Sequence, residues 1–510
     1  MKKILILFLS LLPSACRVGP DYEKPSMEVP EKWENAPPQD KNKNRDILSE
    51  VVWWKNYNDP ILTHLIEETI KSNHDLKTAF AQIFQARASL LGAEAAFSPN
   101  VDGVGSYNNN ENSLTTNTTS NISSISPNIP PIFQTPGLGQ PRFFNIFNLG
   151  LSVNWEIDLF GRLQRGIESA EASVESQVED MHSLMLSLIA ETAVNYITLR
   201  GRQKLIEIQK KTVENWDFIC KLNEDLLSTG LITEIDLNQA KADRNQVEAY
   251  ISVFETDIKV AIHHLSILTG RPPAYFYKLL LPVKPIPQLP SEIFAGLPCE
   301  LLLRRPDIRE AERTLAASTA QIGVAIGDLF PNISLTGTPG FQSNFIRNFI
   351  NPRSLYYTIG PQFSWGIIDF GQVRSNIYQA ISAKDQNYHQ YISTILKALE
   401  DVENSLVTYA NEAKRYAILQ ESYNFSDKAL ELSKLRFNAG LLNYITVLQN
   451  EIDLQEDALI MVQSQTSLAI DSVLLYKSLG GGWQVDQTAW TQKEPITFLP
   501  YKAPSFTPFP

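Results

Sequence analysis

The chain is poor in cysteine, with three in 510 residues: Cys16, Cys220 and Cys299. So few thiols cannot make the disulfide framework that holds small secreted domains together, and Cys220 lies on an apolar helical stripe, where it packs. Beyond the first residues there is no run of 18 consecutive apolar residues, so no transmembrane helix is read from the sequence. Basic runs are missing as well. Lys and Arg total 44 against 56 Asp and Glu, a formal net charge of -12, which argues against nucleic acid as a partner. Methionine and histidine are scarce and unclustered. His263 and His264 are neighbours that do not share a helix face, and no zinc spacing, phosphate cradle or nucleophile elbow is spelled. No catalytic residue, metal or cofactor is expected.

Proline is absent where it matters most. Thirty prolines occur, yet none lies between Pro141 and Pro272 or between Pro361 and Pro495. Proline breaks helices, so these tracts are read as long helices, running from Gly161 to Gly230 and from Gly371 to Gly440. At 1.5 Å per residue each spans on the order of 100 Å, with Gly201 a weak point in the first. Ile206, Val213, Cys220 and Leu227 recur every seven residues, with Tyr416, Tyr423, Leu430 and Phe437 as their second-half counterparts. Such a repeat winds neighbouring helices into a coiled coil.

What the chain has is two copies of one plan. "STGLITEIDLNQ" at Ser228–Gln239 returns as "NAGLLNYITVLQ" at Asn438–Gln449, and "WEIDLFG" at Trp155–Gly161 as "WGIIDFG" at Trp365–Gly371, both 210 residues on. "FSPNV" at Phe97–Val101 is answered by "FPNI" at Phe330–Ile333, 232 on. A polar insertion, "NNNENSLTTNTTSNISSISPN", accounts for the difference and reads as a solvated loop. Gly230 and Gly440 each end a long helix and start a shorter one, Glu234–Leu268 and Tyr444–Leu479. Both helical tips therefore lie at one end. Towards the other landmarks the period becomes two: Leu149, Leu151, Val153 and Trp155 alternate with polar residues, as do Tyr357, Ile359, Pro361, Phe363 and Trp365. Either lipid lies outside and water inside, or a soluble core lies beneath an antiparallel sheet. Pro361 counts against a strand. One hairpin per half gives four strands, too few to close a barrel, so membrane entry requires several chains.

The N-terminus reads as an export signal: Lys2 and Lys3, an apolar run Ile4–Leu12, then "PSAC". With Cys16 after Ser14-Ala15 it looks like a bacterial lipoprotein signal in which Cys16 is acylated. Pro13 stands where leucine is expected, which leaves open a plain signal with an incidental cysteine.

Together these features resemble the TolC-like outer-membrane efflux factors, in their lipoprotein branch (RND efflux system outer membrane lipoprotein). "RVGPDYEKP" (Arg17–Pro25), "GLPCELLLRRPDIREAE" (Gly296–Glu312), the paired hairpin ends and the Gly turns carry the likeness over nearly the whole mature chain. The resemblance implies a mixed α and β membrane protein. Four strands per chain join a trimeric 12-stranded transmembrane β-barrel, and the helices form a long antiparallel coiled-coil barrel in the periplasm. It further implies a homotrimer that meets a periplasmic adaptor and an inner-membrane efflux pump, is held in outer-membrane lipid, and acts as a passive exit duct, not an enzyme. The expected layout is 1–15 signal peptide, 16–60 lipidated extended segment, 61–270 first repeat, 271–306 Pro-rich linker, 307–480 second repeat and 481–510 tail. "RRPDIREAE" is read as a helix start, with Pro306 in the first turn and Asp307, Glu310 and Glu312 at the positive end.

In the family an acid ring narrows the tip pore. The matching positions are Thr446 and Gln449, neither acidic, so Asp236, or Glu451 and Asp453, are the candidates for gate charge; solvated helix-start residues are the alternative reading. Two other functions stay in view. A lipid-anchored coiled-coil structural or adhesion protein would have no use for alternating hairpins, and a periplasmic adaptor would need a separate β-rich domain.

Overall fold

The computed structural model describes residues 17–27, 29–35, 51–111, 143–290 and 298–484. The signal sequence, Cys16, most of the polar insertion and the C-terminal tail lie outside the described residues.

The proline-free tracts form α3 (Arg162–Ser228) and α8 (Gln372–Asn438), each 67 residues long. Their returning partners α4 (Glu234–Leu268) and α9 (Tyr444–Ser478) have 35 residues each. All four pairs of boundaries are 210 residues apart, so the duplication extends to helix ends. α3 runs unbroken through Gly201, where a Cβ would lie 2.4 Å from Thr466 Oγ1. Close approach of α9, rather than a helix break, accounts for that glycine. Among the described residues the remaining helices are α1 (Pro60–Ser72), α2 (His74–Ala95), α5 (Tyr277–Leu280), α6 (Pro298–Arg304) and α7 (Pro306–Gly327). Thus the Pro-rich stretch between the repeats holds two short helices, and the N-terminal segment is not extended throughout: Trp53–Tyr57 form a 3₁₀ turn with both tryptophans buried.

The described residues fall into two compact units. One takes the chain up to Pro25, Ile83–Ser176 and Glu312–Gln390; the other takes Ser26–Gln82, Gln177–Ala311 and the chain from Tyr391.

The first unit carries the sheet: β1 (Asn100–Glu111), β2 (Phe143–Glu156), β3 (Asn332–Gly337), β4 (Gly340–Ser343), β5 (Leu355–Tyr356) and β6 (Ile359–Ser364). β3 and β4 lie end to end along β2, and β5 and β6 continue that arrangement, so six segments make four antiparallel strands. The break before β4 holds Pro339, whose carbonyl accepts from Leu151 N–H at 2.9 Å. Pro361 sits opposite Leu335 in β6, on the outer edge of the chain's own sheet, where a missing N–H is tolerated. The first four residues of the polar insertion belong to β1, not to a loop: Asn108–Glu111 pair with Phe143–Ile146.

The second unit is helical. Its seven-residue stripe on α3 is shifted by one from the expected one. Leu205, Thr212 and Ile219 are buried, whereas Ile206, Val213, Cys220 and Leu227 are half-buried beside them. α3 contacts both α4 and α9, so its buried face lies between two neighbours. By length and composition α9 is apolar enough to cross a membrane, a feature the search for uninterrupted runs passes over. Its Leu448, Ile452, Val462, Leu468 and Val473 are instead buried among other helices.

Candidate functional site

The register sorts the sheet's side chains by face. Val101, Tyr107, Phe147, Leu149, Leu151, Val153, Trp155, Ile333, Leu335, Phe341, Leu355, Ile359, Pro361 and Phe363 fall on one side. The other side carries Asp102, Ser106, Asn108, Asn148, Ser152, Asn154, Thr336 and Gln362, with Val104, Phe144 and Ile146 as apolar exceptions. The apolar face is uncovered: Leu149 and Leu151 are each 48% exposed, Ile359 68% and Phe363 75%. Among the described residues no core packs beneath it, which favours lipid over the soluble-core reading that periodicity left open. From Phe143 to Trp155 the strand covers about 40 Å, or about 28 Å in height at a 45° tilt, close to the hydrocarbon thickness of a bilayer. At the far end Tyr107 Oη and Asn109 Nδ2 both donate to Asn145 Oδ1, at 3.1 and 3.0 Å, giving that rim a polar finish.

The near rim is duplicated in detail. Trp155 Nε1 donates to the Phe97 carbonyl at 2.9 Å, and Trp365 Nε1 to that of Leu329 at 3.1 Å, residues 232 apart. Beyond them Gly161 and Gly371 take left-handed backbone conformations and open α3 and α8. The N-terminal strap closes on the first of these corners. Val18 N–H reaches the Phe160 carbonyl at 3.1 Å, and the buried Arg165 guanidinium donates to the Val18 and Gly19 carbonyls and to Asp21. Further along the strap, Tyr22 and Lys24 both donate to Glu312 at 3.1 Å. Burial alone would raise the Glu312 carboxyl, but hydrogen bonds from Arg313 and Lys24 bring it below the usual range. The "RRPDIREAE" string is thus a structural tie. Its Arg305 also holds Asp307, Asp401 and the Ser478 carbonyl.

Both helical tips end in the same motif. Gly230 (φ +72°) and Gly440 (φ +71°) donate to the carbonyls of Leu227 and Phe437, and Leu231 and Leu441 donate to those of Leu226 and Arg436. Only glycine enters that left-handed position at low cost, which is why the turn is spelled twice. The cap that follows is also duplicated, with donor and acceptor exchanged. In the first tip the Asp236 carboxylate accepts from Thr233 N–H and O–H, at 2.9 and 2.8 Å. In the second, Asn443 Oδ1 accepts from Thr446 N–H and O–H, at 3.0 and 2.6 Å. The backbone hydrogen bond from Thr233 keeps Asp236 below the usual carboxylate range. Asp236 and Thr446, 210 apart, therefore hold equivalent capping places.

Gln449 donates from Nε2 to Asp453 Oδ1 at 3.2 Å, and Gln239 to Asp243 Oδ1 at 2.9 Å in the first tip. Thr446, Gln449 and Asp453 share one face of α9, at i, i+3 and i+7. Glu451 lies half-buried off that face. Asp243 is the residue that sequence reasoning missed, although the 210-residue offset from Asp453 points to it. The adjacent His263 and His264 diverge, to Tyr277 and Glu191.

A sequence model of outer membrane efflux proteins matches residues 65–271 and 297–481, one block for each repeat. Among curated relatives, nodulation protein T of Rhizobium leguminosarum bv. trifolii is 28% identical over 93% of this chain and 96% of its own length. The solvent efflux pump outer membrane protein SrpC of Pseudomonas putida is 28% identical over 95% and 99%. Among solved structures, the outer-membrane channel OprN is 31% identical, with a TM-score of 0.79 over 92% of this chain and 100% of that one. The CmeC channel of Campylobacter jejuni shares the fold, at 24% identity and a TM-score of 0.79.

Proposed function

The chain belongs to the outer membrane efflux protein family, and on that premise we propose that it is the passive exit duct of a tripartite efflux system, working as a homotrimer. Small molecules leave an inner-membrane pump, pass a periplasmic adaptor and reach the exterior through this protein. Energy comes from the pump, and no bond is made or broken here.

The carrying observation is the sheet. One face is apolar and uncovered, and among the described residues β1 and β6 each have a free edge. Open edges are not tolerated in lipid, so further copies must complete the wall, and three copies of four strands make a 12-stranded barrel. The helices support the same reading. α3 packs on α7 through Ser169 Oγ to the Ala317 carbonyl and Ser176 Oγ beside Thr314 Oγ1. In the duplicate those places belong to Gln379 and Gln386 on α8 and to Gln85 and Gln82 on α2, all exposed. Each chain thus offers α8 to the α2 of the next copy. The sheet follows the same rule: Val153 opposite Gly337 becomes Phe363 opposite Gly105 of the next copy, which keeps the apolar side continuous.

The repeats 61–270 and 307–480 are the two halves of each protomer's wall. The strap Arg17–Pro25 is tied to the Trp155–Gly161 corner through Val18 and Arg165, and the residue before it, Cys16, is the proposed point of acylation, by which an acyl chain joins the membrane that the barrel spans. Intact mass of the mature N-terminus checks this, and an unmodified Cys16 contradicts it. The pore is narrowed at Thr446, Gln449 and Asp453, joined by Asp236 and Asp243 of the first tip. Planar lipid bilayers give the direct test. The purified chain is expected to produce discrete conductance steps, and a purified oligomer that never conducts would contradict the duct.

A further inference from the structure

The connections of the two hairpins are spelled in opposite ways. The first is the Asn-, Ser- and Thr-rich insertion, whereas the second, residues 344–354, reads "NFIRNFINPRS". In a chain with a net charge of -12, the only charged residues from Leu329 to Ile368 are Arg347 and Arg353. The second connection is folded. Its 3₁₀ turns, Ile346–Asn348 and Pro352–Ser354, are held by Ser354 Oγ donating to the Asn348 carbonyl at 2.7 Å and by Arg353 N–H donating to Asn351 Oδ1 at 3.0 Å. Yet Ile346 and Ile350 are 73% and 79% exposed, and Phe345 lies open beside them. A turn that faced only water would have no use for so apolar a surface.

Its place on the wall points to what covers it. Phe349 meets Phe147 on the apolar side of β2, with ring centroids 6.0 Å apart, so the segment continues that face. Phe147 stands eight residues from Trp155 along β2. That is about 26 Å of strand, or about 19 Å in height at a 45° tilt, against an apolar band about 25 Å tall. The segment therefore crosses the outer end of the band, where head groups begin. There the Arg347 guanidinium lies over the Phe345 ring, 5.6 Å from its centroid, which leaves its in-plane N–H groups free to meet a pair of acceptor oxygens. The segment supplies no carboxylate to it or to Arg353. We propose that residues 344–354 seat an anionic outer-leaflet lipid whose head group carries phosphate monoesters, with Arg347 and Arg353 on the phosphate and Phe345, Ile346 and Ile350 among the acyl chains. The proposal rests on the reading of the sheet as a wall in lipid. Arginine suits this task because its planar fork grips two phosphate oxygens at once, while the apolar neighbours hold it at the boundary.

The test uses the full-length protein purified in detergent and titrated with diphosphorylated lipid A or with zwitterionic phosphatidylcholine, bound lipid being counted by native mass spectrometry. The wild type is expected to take up lipid A at least about tenfold more tightly. Arg347→Gln with Arg353→Gln is expected to abolish that preference and leave phosphatidylcholine uptake unchanged, whereas Phe345→Ser with Ile350→Ser weakens both. Equal uptake of the two lipids by the wild type, or a preference that survives loss of both arginines, overturns the proposal and leaves the wall in lipid. Displacement of lipid A by inorganic phosphate alone would make this a free-anion site and overturn the lipid assignment. If loss of both arginines releases monomers in detergent without lipid, the segment is a contact between copies and the proposal falls. Uptake of neither lipid by the wild type overturns the membrane reading along with it.

Discussion

Glu310 shows how one side chain reports on its surroundings. Half-buried at the start of α7, its carboxyl is pushed up to about 7, first by burial and then by the nearby charges of Asp180 and Asp307. The folded state therefore holds a proton that the unfolded chain releases near pH 4.5, and stability present below that pH is lost as pH rises through about 7. Glu310→Gln is expected to stabilise the fold at pH 8 by about 1 kcal/mol once solvent screening is allowed for, read as a higher midpoint of thermal unfolding, and to change nothing at pH 4. An equal effect at both pH values would contradict the assignment. At the tips, Asp243 and Asp453 are the duplicated acids. Asp243→Asn with Asp453→Asn should lower cation preference, read as a reversal-potential shift under a salt gradient, and Gln449→Asp should raise it. No shift in either variant removes these residues from the pore. Among single residues, the glycines and tryptophans were legible because a turn or a rim forces their identity. Asp243 was not, since only its equivalence to Asp453 marks it.

At the scale of elements the long helices were written in the spacing of prolines, and their ends in Gly230 and Gly440. Strand positions followed from alternation. The extent of β1 did not, because Asn108–Glu111 look like loop until Phe143–Ile146 pair with them. The buried stripe on α3 was displaced by one residue, since a heptad read along one helix does not say how many neighbours share it. The apolar face of β2 makes a sharp prediction. Leu151→Arg places a charge at mid-depth of the barrel wall, which costs about 2–4 kcal/mol per chain. It should reduce the heat-modifiable oligomer recovered from outer membranes, whereas Ser152→Arg, on the opposite face, should leave it in place. Equal losses would mean that lipid does not cover that face.

For the whole molecule, sequence alone could say that four strands do not close a barrel, but not how copies meet. The duplication offers a geometry for the proposed ring, because the α3–α7 contacts at Ser169 and Ser176 have exposed counterparts at Gln379, Gln386, Gln85 and Gln82. Three-fold closure is the central claim, and single-particle imaging of the mature protein in detergent tests it most directly. The account predicts three-fold rings in end view and, in side view, a hollow cylinder more than about 100 Å long, the span of a 67-residue helix. A solid rod, or a particle without a central channel, would contradict it and leave a lipid-anchored coiled-coil protein in its place.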